Sequence, residues 1–138
     1  MNHWASQYIG IPWAYGAQGP DSFDCWNFVK HIQHHHFSIK LSPTHYIFQT
    51  VRQAVEAIRH SKDFDRWQNQ LQPVEGDIVL MARNKYPAHV GVWIAANGTF
   101  GVLHCIEGYG VIFTPSRSLA AHGWGHIQFY RHVSKCTT

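Results

Sequence analysis

The sequence predicts an α+β domain in which N-terminal helices pack on an antiparallel β-sheet, and two observations carry that expectation. Helical spacing is confined to the first half of the chain, where Phe28, Val29 and Ile32 follow Cys25 at offsets of three, four and seven. From Gly76 onward the chain is instead a series of short, β-branched apolar runs joined by tight-turn signals. Helices first and hairpin-linked strands afterwards imply segregated layers with antiparallel pairing. With 138 residues, 14% of them aromatic and only 14% charged, the chain suits one domain spanning 1–138; it is too rich in core-forming residues for disorder and too short for two ordinary domains.

Taken in order, residues 2 to 9 read as a short helix ending at Gly10, with Trp4, Tyr8 and Ile11 turned inward. A punctuated loop follows from Pro12 to Asp24, and Asp21, Ser22 or Asp24 is placed to cap a helix that starts at Cys25 and closes in Gln33-His34-His35-His36-Phe37. Ser42-Pro43 reads as a cap with a first-turn proline, opening a helix to about His60 with Ile47, Val51, Ala54, Val55 and Ile58 on one face. A second helix is expected after Ser61, because Phe64, Trp67 and Leu71 repeat at three and seven. Strands are expected at 76 to 82, 89 to 95, 100 to 107, 110 to 114 and 126 to 132. Asn97-Gly98 and Gly108-Tyr109-Gly110 supply hairpin turns, and 118 to 122 a helical turn.

Composition excludes several functions. The net charge is +3 and no Lys/Arg cluster forms a stripe, so no nucleic-acid partner is expected. Three cysteines give an odd count without the spacing of a disulfide framework or a zinc pair, which leaves at least one free thiol. The adjacent His34, His35 and His36 point in different directions on a helix and read as a solvated helix end; no metal and no cofactor are expected. The start Met1-Asn2-His3-Trp4 lacks the basic-then-apolar pattern of a signal peptide, and no run reaches the length of a membrane span. The expectation is a chain made in the cytoplasm, soluble, with no membrane span.

The chemistry centres on Cys25. In the first turn of a helix, unpaired N–H groups and the positive end of the dipole favour a thiolate. A lone cysteine on an apolar helix face is more often inert packing, and the downstream histidines change that balance. His89 opens a strand, where its side chain can reach a cleft and serve as base and then acid. His104 lies on the next strand, placed to orient the far nitrogen of His89. Cys105 faces the other side of its strand from His104 and reads as a buried, inert thiol, and Cys136 lies in a polar tail. His122, His126 and His132 read as surface or packing residues, and Asp77 as a strand-start turn residue.

The thiol at a helix start, the histidine opening a strand and the polar orienter on the following strand resemble the NlpC/P60 family of cysteine peptidases. The residues carrying the resemblance are Tyr8-Ile9-Gly10-Ile11-Pro12-Trp13, Phe23-Asp24-Cys25, Glu75-Gly76-Asp77-Ile78-Val79, His89-Val90-Gly91-Val92-Trp93 and Leu103-His104. Gly19-Pro20-Asp21-Ser22-Phe23-Asp24-Cys25-Trp26 is similar to the form found in phage and prophage tail modules. The resemblance implies a papain-like fold, a Cys25, His89 and His104 catalytic set, and cleavage of peptidoglycan stem peptides at the bond between D-γ-glutamate and a diamino acid. It implies stem peptides as partners, together with phage tail proteins in the tail-module setting, and delivery to the cell wall by a phage particle, lysis or a secretion machine. Protonation of exposed histidines would strengthen affinity for an anionic wall in acid. Two positions depart from the common pattern: Trp13 stands where many members have a tyrosine that helps bind the carbonyl oxygen, and Trp26 where they have a serine. Trp13, Tyr15, Trp26 and the backbone N–H groups of the Cys25 turn are the substrate or oxyanion candidates. The rival readings are an amidase or acyltransferase using the same Cys-His pair, a structural tail or assembly protein with an incidental site, and a zinc-binding protein.

Overall fold

Residues 3–41, 62–83, 89–96 and 98–136 are described by a computed structural model. Their framework is a six-stranded sheet built from β1 (Trp67–Gln70), β2 (Ile78–Ala82), β3 (His89–Ala96), β4 (Thr99–Ile106), β5 (Gly110–Pro115) and β6 (His126–His132). The strand order is β1-β6-β2-β3-β4-β5, and every neighbouring pair is antiparallel. One α-helix, α1 (Cys25–Phe37), packs against β3 and β4. The α+β architecture is the papain-like layout expected of the chain, with the helix on one face of an antiparallel sheet.

Strand alternation divides the core into two layers. Ile78, Leu80, Val90, Val92, Ile94, Leu103 and Cys105 point toward α1, where Cys25, Phe28, Val29 and Ile32 meet them. The intervening positions Val79, Met81, Trp93 and Val102 point to the other face, which Leu119 and Trp124 cover from the segment between β5 and β6. All of β2 is buried because both of its faces are covered.

The N-terminal segment closes one edge of the sheet. A 3-10 turn over Trp4–Tyr8 buries Ala5 and Tyr8, then Gly10 N–H donates to Val111 O at 3.0 Å and Val111 N–H donates to Ile11 O at 2.9 Å. These bonds cap the free edge of β5. Gly110 must be glycine there, since a Cβ would lie 2.5 Å from Ile11 O. At the far end of α1, the buried Gln33 donates from Nε2 to Gly76 O at 2.8 Å, tying the helix to the turn that launches β2. Beside it, Asp77 accepts two hydrogen bonds from Arg131, from Nε and from Nη2, each at 2.9 Å, and one from Val74 N–H. That pairing gives Asp77 a structural role at the start of β2.

One element differs from expectation. The helix expected after Ser61 is a 3-10 turn over Lys62–Arg66 running into β1, which pairs with β6 in the register Trp67 with His132. Trp67 is buried, yet Leu71, the third member of the supposed helical stripe, is 90% exposed. The spacing matched a helix, but pairing with a strand about sixty residues away decided the conformation. The expected helix over residues 43 to 60 and the Ser42-Pro43 cap lie outside the described residues. The remaining strands fall within two residues of their expected bounds, and the expected turn over 118 to 122 is two 3-10 turns, Ser116–Ser118 and Ala120–His122.

Candidate active site

Cys25 is held by a fastened loop. Asp24 is the residue that caps α1: its Oδ1 accepts from Asn27 N–H at 2.7 Å and its Oδ2 from the Asn27 carboxamide at 3.1 Å. Just before it, Phe23 is fully buried; its N–H donates to Pro12 O, its carbonyl accepts from Ala14 N–H, and Asp24 N–H donates to Ala17 O. The Phe23 ring lies so close to Gly19 that a Cβ there would sit 2.3 Å from it. The same Phe23 carbonyl accepts a hydrogen bond from the Cys105 thiol at 3.3 Å. Cys105 is therefore buried but not idle, because it joins β4 to the loop that delivers the helix start.

The two histidines are brought together. His89 opens β3 and His104 lies near the end of β4; His89 Nε2 and His104 Nδ1 share a hydrogen bond of 2.8 Å. The chain of contacts continues from His104 Nε2 to Thr114 Oγ1 on β5 at 2.9 Å. Gly91, between the two histidines in the fabric of the sheet, permits this approach: a Cβ there would lie 2.4 Å from Val102 Cγ1 and 3.0 Å from His104 Cβ. The His89 ring is stacked on Trp124, with centroids 5.2 Å apart and planes 17° apart, and the Arg83 guanidinium lies 4.1 Å above the Trp124 ring. His89 and His104 are 3% and 1% exposed.

Cys25 packs in the layer between α1 and the sheet, with Cys105, while His89 and His104 occupy alternate positions on the Trp124 face. Thiol and imidazoles share one end of the sheet, where α1 begins, β3 starts and β4 finishes. The bond from the Cys105 thiol to the Phe23 carbonyl sets the start of α1 beside the end of β4, on the face of the sheet opposite the two imidazoles.

Burial governs the electrostatics. It pushes the Cys25 thiol well above its ordinary range, the Asp24 carboxylate and Cys105 push it further, and the N–H groups of the helix start oppose them without prevailing. The thiolate favoured by position alone is therefore not the resting form; the buried thiol is protonated. Burial likewise lowers His89 well below the ordinary imidazole value, with His104 and Arg83 adding to the effect, and lowers His104 to about 4. Both rings are neutral at pH 7. Cys105 is pushed up to about 12, chiefly by burial and then by Asp24.

The other candidates are dispersed. Trp13 is half-buried and pairs with Phe23 through an isolated bridge; its indole N–H is buried and has no hydrogen-bond partner among the described residues. Tyr15 is 53% exposed on the loop. Trp26 is built into the core beside Cys25. Cys25, Cys105 and Cys136 are all free thiols. Thr114, Trp124 and Arg83 escaped the sequence reading. Thr114 could have been found by carrying the alternation of β4 across to β5, but nothing near Trp124 or Arg83 in sequence marks them as neighbours of His89. Among the described residues no three His, Cys, Asp or Glu side chains are grouped to hold a metal ion, and no helix is long and apolar enough to cross a membrane.

Comparison with known proteins adds one finding: the sequence model of the NlpC/P60 family matches residues 10–130. No curated protein matches the chain.

Proposed function

The chain belongs to the NlpC/P60 family of peptidoglycan-hydrolysing peptidases, and on that premise we propose that it is a cysteine peptidase cutting stem peptides with Cys25 as nucleophile, His89 as base and His104 as the orienter of His89. The observation that carries the reading is the buried relay from His89 Nε2 to His104 Nδ1 and on from His104 Nε2 to Thr114 Oγ1. Because His89 spends Nε2 on His104, its Nδ1 is the nitrogen left for a thiol proton. The proton order follows: His89 Nε2–H donates to His104 Nδ1, and His104 Nε2–H donates to Thr114 Oγ1.

With thiol and imidazole both neutral at rest, attack and proton transfer go together. The Cys25 sulfur bonds to the amide carbonyl carbon while its proton passes to His89 Nδ1. The C–N bond then breaks, and His89 returns the proton to the leaving amine. Water, giving its proton to His89, attacks the thioester; the acid product leaves and the thiol re-forms. His104 contributes orientation, not charge, since it stays uncharged. The negative oxygen of the tetrahedral intermediate calls for donors, and the N–H groups at the start of α1 are the available ones.

The proposed bond lies between D-γ-glutamate and a diamino acid, and the Gly19-to-Trp26 stretch supports a phage-tail setting with tail proteins as partners. Mass analysis of muropeptides after digestion of purified sacculi tests the bond. Stem peptides divided after the D-γ-glutamyl residue support the proposal. Peptides released whole from the sugar by cleavage of its amide link indicate an amidase. No cleavage, with phage assembly and infection unchanged in Cys25→Ala, indicates a structural role.

A further inference from the structure

The outer face of α1, turned away from Cys25, carries a second feature. Asn27, Lys30, His31 and His34 recur at offsets of three, four and seven, opposite the stripe that packs on the sheet. They line, with His35, an open cavity of about 230 Å³, which Lys40 and Leu41 just beyond the helix and Gln18 from the preceding loop complete. Every polar side chain of this lining can donate a hydrogen bond and none is a carboxylate. We propose that this cavity is a binding site for a phosphate-class oxyanion, gripped more tightly as its histidines protonate.

Several observations converge on that ligand. Two ammonium groups, three imidazoles and the Gln18 carboxamide approach from α1, the Lys40 segment and the Gln18 loop, which suits the spread oxygens of a phosphate better than a planar carboxylate, while the Asn27 carboxamide donates to Asp24. The imidazoles crowd one another: the rings of His31 and His35 are 4.1 Å apart and those of His34 and His35 are 5.0 Å apart. Burial lowers the pKa of His31, and the charges of His35, His36 and His34 lower it further, so an anion among them relieves repulsion and takes up protons as it binds.

The neighbouring charged and titratable groups are otherwise engaged. His36 is stacked on Trp4 at 4.0 Å and hydrogen-bonded to Tyr8 Oη at 2.8 Å, and the same hydroxyl lies 3.5 Å from His31 Nε2. Asp24, the carboxylate that interacts with Lys30, is committed to capping the helix. The binding site is independent of the hydrolytic reading, because its residues lie on the opposite helix face from Cys25.

The test is a titration of the full chain followed by the NMR signals of its histidine rings, near pH 5.5 and near pH 7.8, with inorganic phosphate, a poly(glycerol phosphate) chain, and sodium acetate at equal ionic strength. The diester keeps a constant charge over this range, so its pH dependence reports the protein. Saturable shifts at His31, His34 and His35, about tenfold tighter for the diester chain at the lower pH, are expected. Lys40→Gln should weaken binding at both pH values, and the double variant His34→Gln, His35→Gln should abolish most of the pH dependence. Unchanged His89 and His104 signals would show that the variants fold. Stronger binding of the polymer identifies a phosphodiester chain as the ligand, and equal or stronger binding of inorganic phosphate identifies a small anion; either supports the site. Shifts that fail to saturate, that acetate reproduces, or that keep their pH dependence in the double variant overturn it.

Discussion

Lowering the pH from 7 to 4 should cost this fold stability through His104, by an amount that can be worked out. The ring is buried, hydrogen-bonded at both nitrogens to neutral partners, and lowered from 6.5 to about 4. Between those values the unfolded chain takes up a proton that the folded chain refuses, so stability falls as pH falls through that window and the loss is complete below about 4. The interval is about two and a half pH units, and at about 1.4 kcal/mol per unit the loss is about 3 kcal/mol, a large part of an ordinary domain's stability. His89, lowered for the same reason, adds in the same direction. Urea unfolding of wild type and His104→Gln at half-unit steps of pH reads the contribution of His104 together with its effect on His89, which it helps to lower. The variant starts less stable at pH 7 and loses about 3 kcal/mol less on the way to pH 4. Parallel curves for the two proteins would refute the buried, neutral relay.

Alkylation of folded protein with iodoacetamide at neutral pH should modify Cys136 well before Cys25, which is 2% exposed and protonated; mass mapping of the labelled peptides reads the order, and rapid labelling of Cys25 would show a preformed thiolate. Gly91→Ala should destabilise the fold by about 1 to 3 kcal/mol by driving a methyl into Val102 and the base of His104, measured by thermal melting and by displaced His104 ring signals. Arg131→Ala should cost about 3 kcal/mol in urea unfolding, since it strands the buried Asp77 carboxylate without its two guanidinium hydrogen bonds.

Much of this architecture was legible in the chain because its cues are local. Asp24 before an apolar helical stripe marks the start of α1, and the β-branched runs with glycine turns between them mark the strands from Ile78 to Pro115. The pairing of His89 with His104 also followed from neighbouring strands joined by a tight turn. What escaped depends on partners distant in sequence. Trp67 lies in a helix-like spacing, but it is settled by pairing with β6 and His132. Thr114 and Trp124 reach the histidines only once β5 and the segment after it have folded back. The state of Cys25 is hidden in the sequence for a related reason: the helix start argues for a thiolate, and only the packed layer around it reveals how strongly burial argues against one.

The central claim is that Cys25 and His89 act as one nucleophile. The most direct test is the rate of stem-peptide hydrolysis by wild type, Cys25→Ser and His89→Gln, each shown by circular dichroism to be folded. Losses of about a thousandfold or more in kcat/KM for each single variant are the expected result. Hydrolysis at the wild-type rate by either variant would contradict it.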